Sequence, residues 1–252
     1  MTRGRRPPAL VYGRNPVVEA IRAGRRLKRL LLLAAPAPDS RLDEIAAAAR
    51  AAGVPVEEVG RERLDAVAHT RAHQGVVAYV ERRPYWELGA LLDDLETEPA
   101  PMVVVLDGIQ DPQNLGGVCR SADAAGVAAV ILPKDRAAEV TPAVAKASAG
   151  AVEHLRICQV ASVAQALERL KAAGFWTIGL AGEADATYAD VDLTRRTAIV
   201  AGAEGAGLHQ LVRRRCDQLV ALPMLGRVSS LNVAVAVSVV LYEALRQRGH
   251  KG

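Results

Sequence analysis

Between Met102 and Pro223 the chain repeats one pattern: a short unbroken apolar run, then a polar stretch with helical spacing. The runs are MVVVLDG, AAVILP, LRICQV, FWTIGLAG, TAIVAG and LVALP. Between most of them lie stretches such as GGVCRSADAAG, TPAVAKASAG and SVAQALERLKAAG. A strand with one face in water alternates apolar and polar residues, whereas a strand covered on both faces does not. Continuous strands separated by helices therefore predict an α/β domain on an open parallel sheet with helices on both faces. In such sheets ligands bind in the loops after the carboxyl ends of the strands, so chemistry is to be sought there.

The first third reads differently. YGRNPVVEAIRAG predicts a turn and a short helix with Pro16 in its first turn, and RLLLLA predicts a strand. SRLDEIAAAARAAG predicts a helix capped by Ser40 and stopped at Gly53. Apolar runs follow at Val54–Val59 and Gly75–Val80. Residues 1–84 thus form a small α/β domain, residues 85–100 a charged, proline-bearing linker with one short helix, and residues 101–252 the second domain. Charge follows the same division. Residues 1–84 hold 16 Lys and Arg against 9 Asp and Glu, and the rest hold 16 against 19. The excess gathers in RGRR at residues 3–6 and in Arg22, Arg25, Arg26, Lys28 and Arg29, which suits a polyanion-binding module.

Other classes lose support. The start MTRGRRPPAL has no apolar stretch of the kind a secretory signal needs. Cys119, Cys158 and Cys216 stand far apart with no CxxC spacing, which argues against a disulfide framework, against structural zinc and for the cytoplasm. The Val233–Leu241 run is shorter than the roughly 20 residues a bilayer needs, so it reads as a buried core helix. His69 and His73 have i, i+4 spacing without the glutamate of HExxH and read as a solvated pair; Arg213, Arg214 and Arg215 read as a solvated face that could also meet a nucleic acid.

Three loops carry chemistry-bearing residues. DGIQDPQNLGGVCRSADAAG runs from a strand through Asn114, Gly116 and Gly117 into a helix, with Arg120 in about its first turn. Amides at that helix start and a multi-donor arginine suit a phosphate, and turn or cap roles for Asp111 and Asn114 explain the same residues equally well. TAIVAGAEGAGLHQL places Gly202, Gly205 and Gly207 around Glu204. The order is neither GxGxxG nor GxxxxGK[ST], so dinucleotide and phosphate-loop folds lose support. LPMLGRVSSLNVAVA sets Ser229, Ser230 and Asn232 before an apolar helix, more polar groups than one cap requires.

Together, NLGGVCRSADAAG, IVAGAEGAGL and LPMLGRVSSLNVAVA resemble the three signature motifs of the SpoU (TrmH-type) RNA 2′-O-ribose methyltransferases of the SPOUT superfamily, over about residues 101–248. YGRNPVVEAI and HQGVVAYV resemble the ribosomal-protein-like substrate-binding domain that precedes the catalytic domain in many members. DPQNLGGVCRSADAAGVAAVILPKDR and the GEAD at Gly182–Asp185 are similar to the subgroup that methylates a guanosine of 23S ribosomal RNA. The resemblance implies a C-terminal trefoil knot in the parallel-sheet domain, S-adenosylmethionine bound there, no metal, and a homodimer whose active site draws on both subunits. It implies catalytic roles for Asn114, Arg120, Glu204, Ser230 and Asn232, and cofactor contacts at Gly202, Leu222 and Leu231.

The implied reaction moves a sulfonium methyl to a ribose 2′-hydroxyl. An arginine holds its proton too tightly to serve as an ordinary base, so Arg120 is expected to clamp the neighbouring phosphate and the developing alkoxide. Glu204 and Asn232 are expected to orient Arg120 and the ribose. Transfer RNA, resistance-type methylation of another ribosomal residue, and a non-catalytic assembly factor are the alternatives.

Overall fold

The computed structural model describes residues 9–34, 39–135 and 137–249. The RGRR cluster at residues 3–6 lies outside them. The chain divides into two compact units, Met1–Pro84 with Val140–His154, and Tyr85–Glu139 with Leu155–Gly252.

The first unit opens with β1 (Ala9–Tyr12), α1 (Arg14–Arg22), β2 (Leu27–Leu33), α2 (Ser40–Ala51), β3 (Val56–Val59), α3 (Arg61–Ala68) and β4 (Val76–Val80). Its sheet runs in the order β1-β4-β2-β3, with β4 antiparallel to both neighbours and β2 parallel to β3. The α2 cap is Asp39, whose carboxylate accepts from the Arg41 and Leu42 amides, rather than Ser40. A carboxylate at that position also meets the positive end of the helix dipole. His73 is not solvated: it is 1% exposed, its Nε2 lies 2.9 Å from Asp65 Oδ1, and its Nδ1 accepts from the Gly75 amide at 3.0 Å. His69 instead takes the left-handed conformation that ends α3. The histidine pair is thereby split, one ring serving the loop before β4 and one backbone serving a cap.

The second unit opens with α4 (Leu88–Asp94), β5 (Met102–Asp107), α5 (Pro112–Ala124) and β6 (Ala129–Pro133). The next segment, with α6 (Pro142–Ala147) and a 3-10 turn at Ala151–Glu153, counts with the first unit. There Glu153, 2% exposed at its side chain, pairs with Arg25 at 2.6 Å. The second unit resumes with β7 (Arg156–Val160), α7 (Val163–Ala172), β8 (Trp176–Leu180), β9 (Thr197–Gly202), α8 (Gln210–Arg215), β10 (Gln218–Val220) and α9 (Val233–Gln247).

All six strands are parallel, in the order β10-β8-β9-β5-β6-β7. Val103, Val105, Ala129, Ile131, Ala198 and Val200 pack with residues of α4, α7 and α8 on one face. The alternate residues Val104, Leu106, Ile199 and Ala201 are equally buried and face the other way, where α5 packs on β6 and α9 on β9. Burial on both faces is why these strands read as unbroken apolar runs.

The α5–α9 contact is close because its residues are small. An added Cβ at Gly117 would lie 2.8 Å from the Ala234 methyl, and Ser238 Oγ donates to Ser121 Oγ at 2.6 Å. The α9 helix buries Val233, Val237, Val240, Leu241 and Ala244 but leaves Val235 48% and Tyr242 56% exposed. It is therefore a core helix on one face only. No helix among the described residues is long and apolar enough to cross a membrane.

Candidate active site

The strands β10, β8 and β9 are neighbours, and the segments following their carboxyl ends enclose a cavity of about 440 Å³. Its walls are Leu180–Glu183 after β8, Ala201–Leu208 at the end of β9, and Leu222, Met224 and Ser229–Leu231 after β10, with Arg213 of α8. Gly202, Glu204, Leu222, Ser230 and Leu231, all singled out from sequence, lie on it.

The loop after β9 is tightly folded. A Cβ on Gly202 would fall 2.1 Å from the Gly207 carbonyl and 2.4 Å from the Leu208 nitrogen, so only glycine lets the strand end meet the returning chain. Gly205 and Gly207 take φ of +78° and +67°, which glycine adopts without strain, and the Gly207 amide donates to the Ala203 carbonyl at 2.8 Å. Asp107 holds the far end. Buried at the tip of β5, its Oδ2 accepts from the His209 amide at 2.8 Å and lies 3.0 Å from His209 Nδ1. Sequence reading passed over Asp107; the signal was a carboxylate ending an otherwise apolar strand, which demands a buried partner.

The loop so held presents Glu204 to two amides from other elements. Asn114 Nδ2 donates to Glu204 Oε2 at 3.1 Å, and Asn232 Nδ2 donates to Asn114 Oδ1 at 2.7 Å and reaches Glu204 Oε2 at 3.4 Å. Asn232 is the α9 cap, its Oδ1 accepting from the Ala234 amide at 2.9 Å. Capping therefore falls to Asn232, and Ser229 and Ser230 are left exposed on the cavity. One asparagine both starts the helix and closes the polar cluster.

Helix α5 begins earlier than its paired glycines suggest. Asp111 caps it by accepting from the Gln113 amide, Pro112 is its first residue, Asn114 lies in its first turn, and Arg120 lies two turns on. A carboxylate already occupies that helix start, which weakens it as an anion site. Arg120 is exposed, and its side chain has no hydrogen bond or ion pair among the described residues. Glu204 and Asn232 thus orient Asn114, not Arg120, within one chain. The reason is helical: Asn114, Gly117 and Ser121 meet Asn232, Ala234 and Ser238 of α9, while Arg120 points about 100° away from Ser121.

The charged groups on the cavity are Glu183, Glu204 and Arg213, and Arg213 is paired with Glu183. A phosphate-bearing ligand wants surplus cations or a free helix start. Two carboxylates against one committed guanidinium suit a cationic ligand, and Leu180, Leu222 and Leu231 supply apolar surface for a flat ring. A sulfonium nucleoside such as S-adenosylmethionine fits this lining. No group of three or more His, Cys, Asp or Glu is placed to hold a metal among the described residues.

Comparison with known proteins points the same way. Residues 101–242 match the SpoU rRNA methylase family, and residues 10–86 match the RNA 2′-O ribose methyltransferase substrate-binding family. The chain is 44% identical to the 23S rRNA (guanosine-2′-O-)-methyltransferase RlmB of Pseudomonas syringae pv. tomato, over 96% of each chain. It is 39% identical to the protein of that name from Escherichia coli, over 95% of this chain and 98% of the other. Among solved structures, the SpoU methyltransferase AviRb from Streptomyces viridochromogenes in complex with AdoMet superposes with a TM-score of 0.79 at 31% identity, covering 95% of this chain and 90% of that one. The motif residues Asn114, Glu204 and Asn232 meet in one cluster, and the matches along both parts of the chain show that it belongs to the SpoU rRNA methylase family.

Proposed function

We propose that the protein transfers a methyl group from S-adenosylmethionine to the 2′-hydroxyl of a guanosine in 23S ribosomal RNA. The observation that carries this reading is the meeting of Asn114, Glu204 and Asn232 beside a cavity whose charged lining suits a sulfonium. Its RlmB relatives named above carry that activity in their names.

When bound, S-adenosylmethionine supplies an electrophilic methyl and a neutral leaving group. The chain supplies position and charge. Gly202, Leu222 and Leu231 shape the cavity wall for the donor. Asn114, locked by Glu204 and Asn232, presents a fixed polar edge to the ribose, and Ser230, on the segment that leads to Asn232, offers its exposed hydroxyl. Arg120, uncommitted in the fold, clamps the phosphate beside the target ribose and stabilises the developing alkoxide. The proton passes to a phosphate oxygen or water. Arg120→Lys tests the clamp: a lysine keeps charge but loses the fork, so full activity would sink the bidentate role.

The active form is a homodimer. Val235 and Tyr242, about two turns apart on α9, make an exposed apolar face suited to contact with a second copy. Such a dimer offers Arg120 to the polar cluster of the other copy. The segment Leu222–Asn232 passes the β9 loop without regular structure before α9 packs on α5, as a chain threading a knot would. The first unit grips RNA, and the site of action is the cytoplasm. The deciding experiment is tritiated methyl transfer to unmodified ribosomal and transfer RNA, with the labelled nucleotide mapped. Label on a 23S guanosine is expected; none on either RNA would leave a non-catalytic factor.

A further inference from the structure

Of the three charged side chains on the cavity, Glu204 is engaged by Asn114 and Asn232. Among the described residues, Glu183 and Arg213 are bonded only to each other. Glu183 comes from the loop after β8 and Arg213 from α8, so the pair joins two walls. Their side chains are 60% and 38% exposed. An exposed ion pair adds little to a fold, so this one can exchange partners at small cost. The neighbouring cations have other tasks: Arg215 and Lys171 both meet Glu168.

Position matters too. Val212, beside Arg213, packs in the core on the α4/α7 face of the sheet, whereas Asn114 and Asn232 belong to the α5/α9 face. Arg213 therefore comes from a helix on the face of the sheet opposite to that of Asn114 and Asn232. A ribose diol or an adenine edge presents no ionic group and would gain nothing from either charge while the pair stays closed. An α-amino-acid group presents one ammonium and one carboxylate. Exchange of one ion pair and one zwitterion gives two ion pairs, with every charge compensated. We propose that Glu183 and Arg213 are the clamp for the amino-acid end of the methyl donor, an inference that rests on the methyl-donor reading of the cavity.

The test is calorimetric titration of the full-length protein with S-adenosylmethionine and with 5′-methylthioadenosine, which lacks the amino-acid tail. Glu183→Gln and Arg213→Gln should each weaken S-adenosylmethionine by about tenfold or more, and should leave 5′-methylthioadenosine within about twofold. The double exchange Glu183→Arg with Arg213→Glu restores an ion pair between the walls but reverses its sense, so tight binding should not return. Equal losses for both ligands, no loss, or rescue by the exchange would each overturn the clamp. A folded wild-type protein that binds neither ligand would overturn the methyl-donor reading instead.

Discussion

In the first unit Arg14, Arg22, Arg25, Arg26, Arg29, Arg41 and Arg63 each meet a carboxylate. Beside the candidate site of the second, Arg120 and Arg227 meet none among the described residues. Counted along the chain, the first unit is the basic one. Counted by what is available to an outside anion, the difference narrows. Of the N-terminal cations singled out from sequence within the described residues, only Lys28 lacks a partner there. Arg50, Arg61 and Arg71 are likewise unpaired and exposed. An arginine already facing a carboxylate must give up that partner to take a phosphate, whereas an unpaired one does not. Net charge sets long-range attraction; unpaired charge sets contact.

The largest expected effect falls on the unpaired arginine of the second unit. Arg120→Ala should lower kcat by about 100-fold or more, the scale of losing one charge-stabilising donor, with the thermal midpoint unchanged because the side chain supports nothing in the fold. A matching fall in the midpoint would mean that Arg120 is structural and the contrast false. Next comes the half-buried pair of the first unit. Arg25→Ala leaves Glu153 buried without its ion partner and should destabilise by about 3 kcal/mol in denaturant titration. An unchanged midpoint would place Arg25 among the available cations after all.

Smaller effects should follow for the remaining unpaired groups. Replacing Lys28, Arg50, Arg61 and Arg71 by Ala should weaken RNA binding and flatten its salt dependence by about one unit of slope per lost phosphate contact, with folding intact. Equal slopes for wild type and variant would assign the RNA grip elsewhere. Point variants serve better than deletion of residues 1–84, because Val144 and Val152, counted with the first unit, are buried and would lose their surroundings. Packing between α5 and α9 gives a further check. Gly117→Ala should cost about 1–3 kcal/mol through the Ala234 contact, and Ala234→Gly alongside it should recover part of that loss. The least effect is expected at the thiols. Burial pushes Cys119 and Cys216 up to about 12 and Cys158 up to about 11, so iodoacetamide at pH 8 should leave all three unlabelled in the folded protein, as mass spectrometry would show.

Much of the architecture was legible because it rests on local pattern. Each apolar run became a strand, and GGVCRSADAAG, TPAVAKASAG and SVAQALERLKAAG all contain helix. Caps were less legible. Ser40 and the serines before α9 look like caps, yet Asp39 and Asn232 perform that role, because several residues of the right type stand side by side and only backbone geometry chooses among them. His73 was misread because i, i+4 spacing says nothing about burial once the helix has ended at Ala68. Gly202 was expected at the cofactor, and its close approach to Gly207 and Leu208, which no motif states, adds a second reason for a glycine there.

The sequence by itself determined which segments are strands buried on both faces, which loops carry polar residues, and that three of those loops belong together. A few residues of periodicity report burial, and that information is local. Only the tertiary structure decided the strand order, and with it the site. Asn114 meets Glu204 across 90 residues and Asn232 across 118 because β9 lies beside β5 and α9 returns onto α5. No local pattern encodes such pairings; they follow from how parallel strands are ordered and how small residues let two helices close. The same ordering set Asp107 behind the glycine loop and Glu183 opposite Arg213, two contacts that no motif announced.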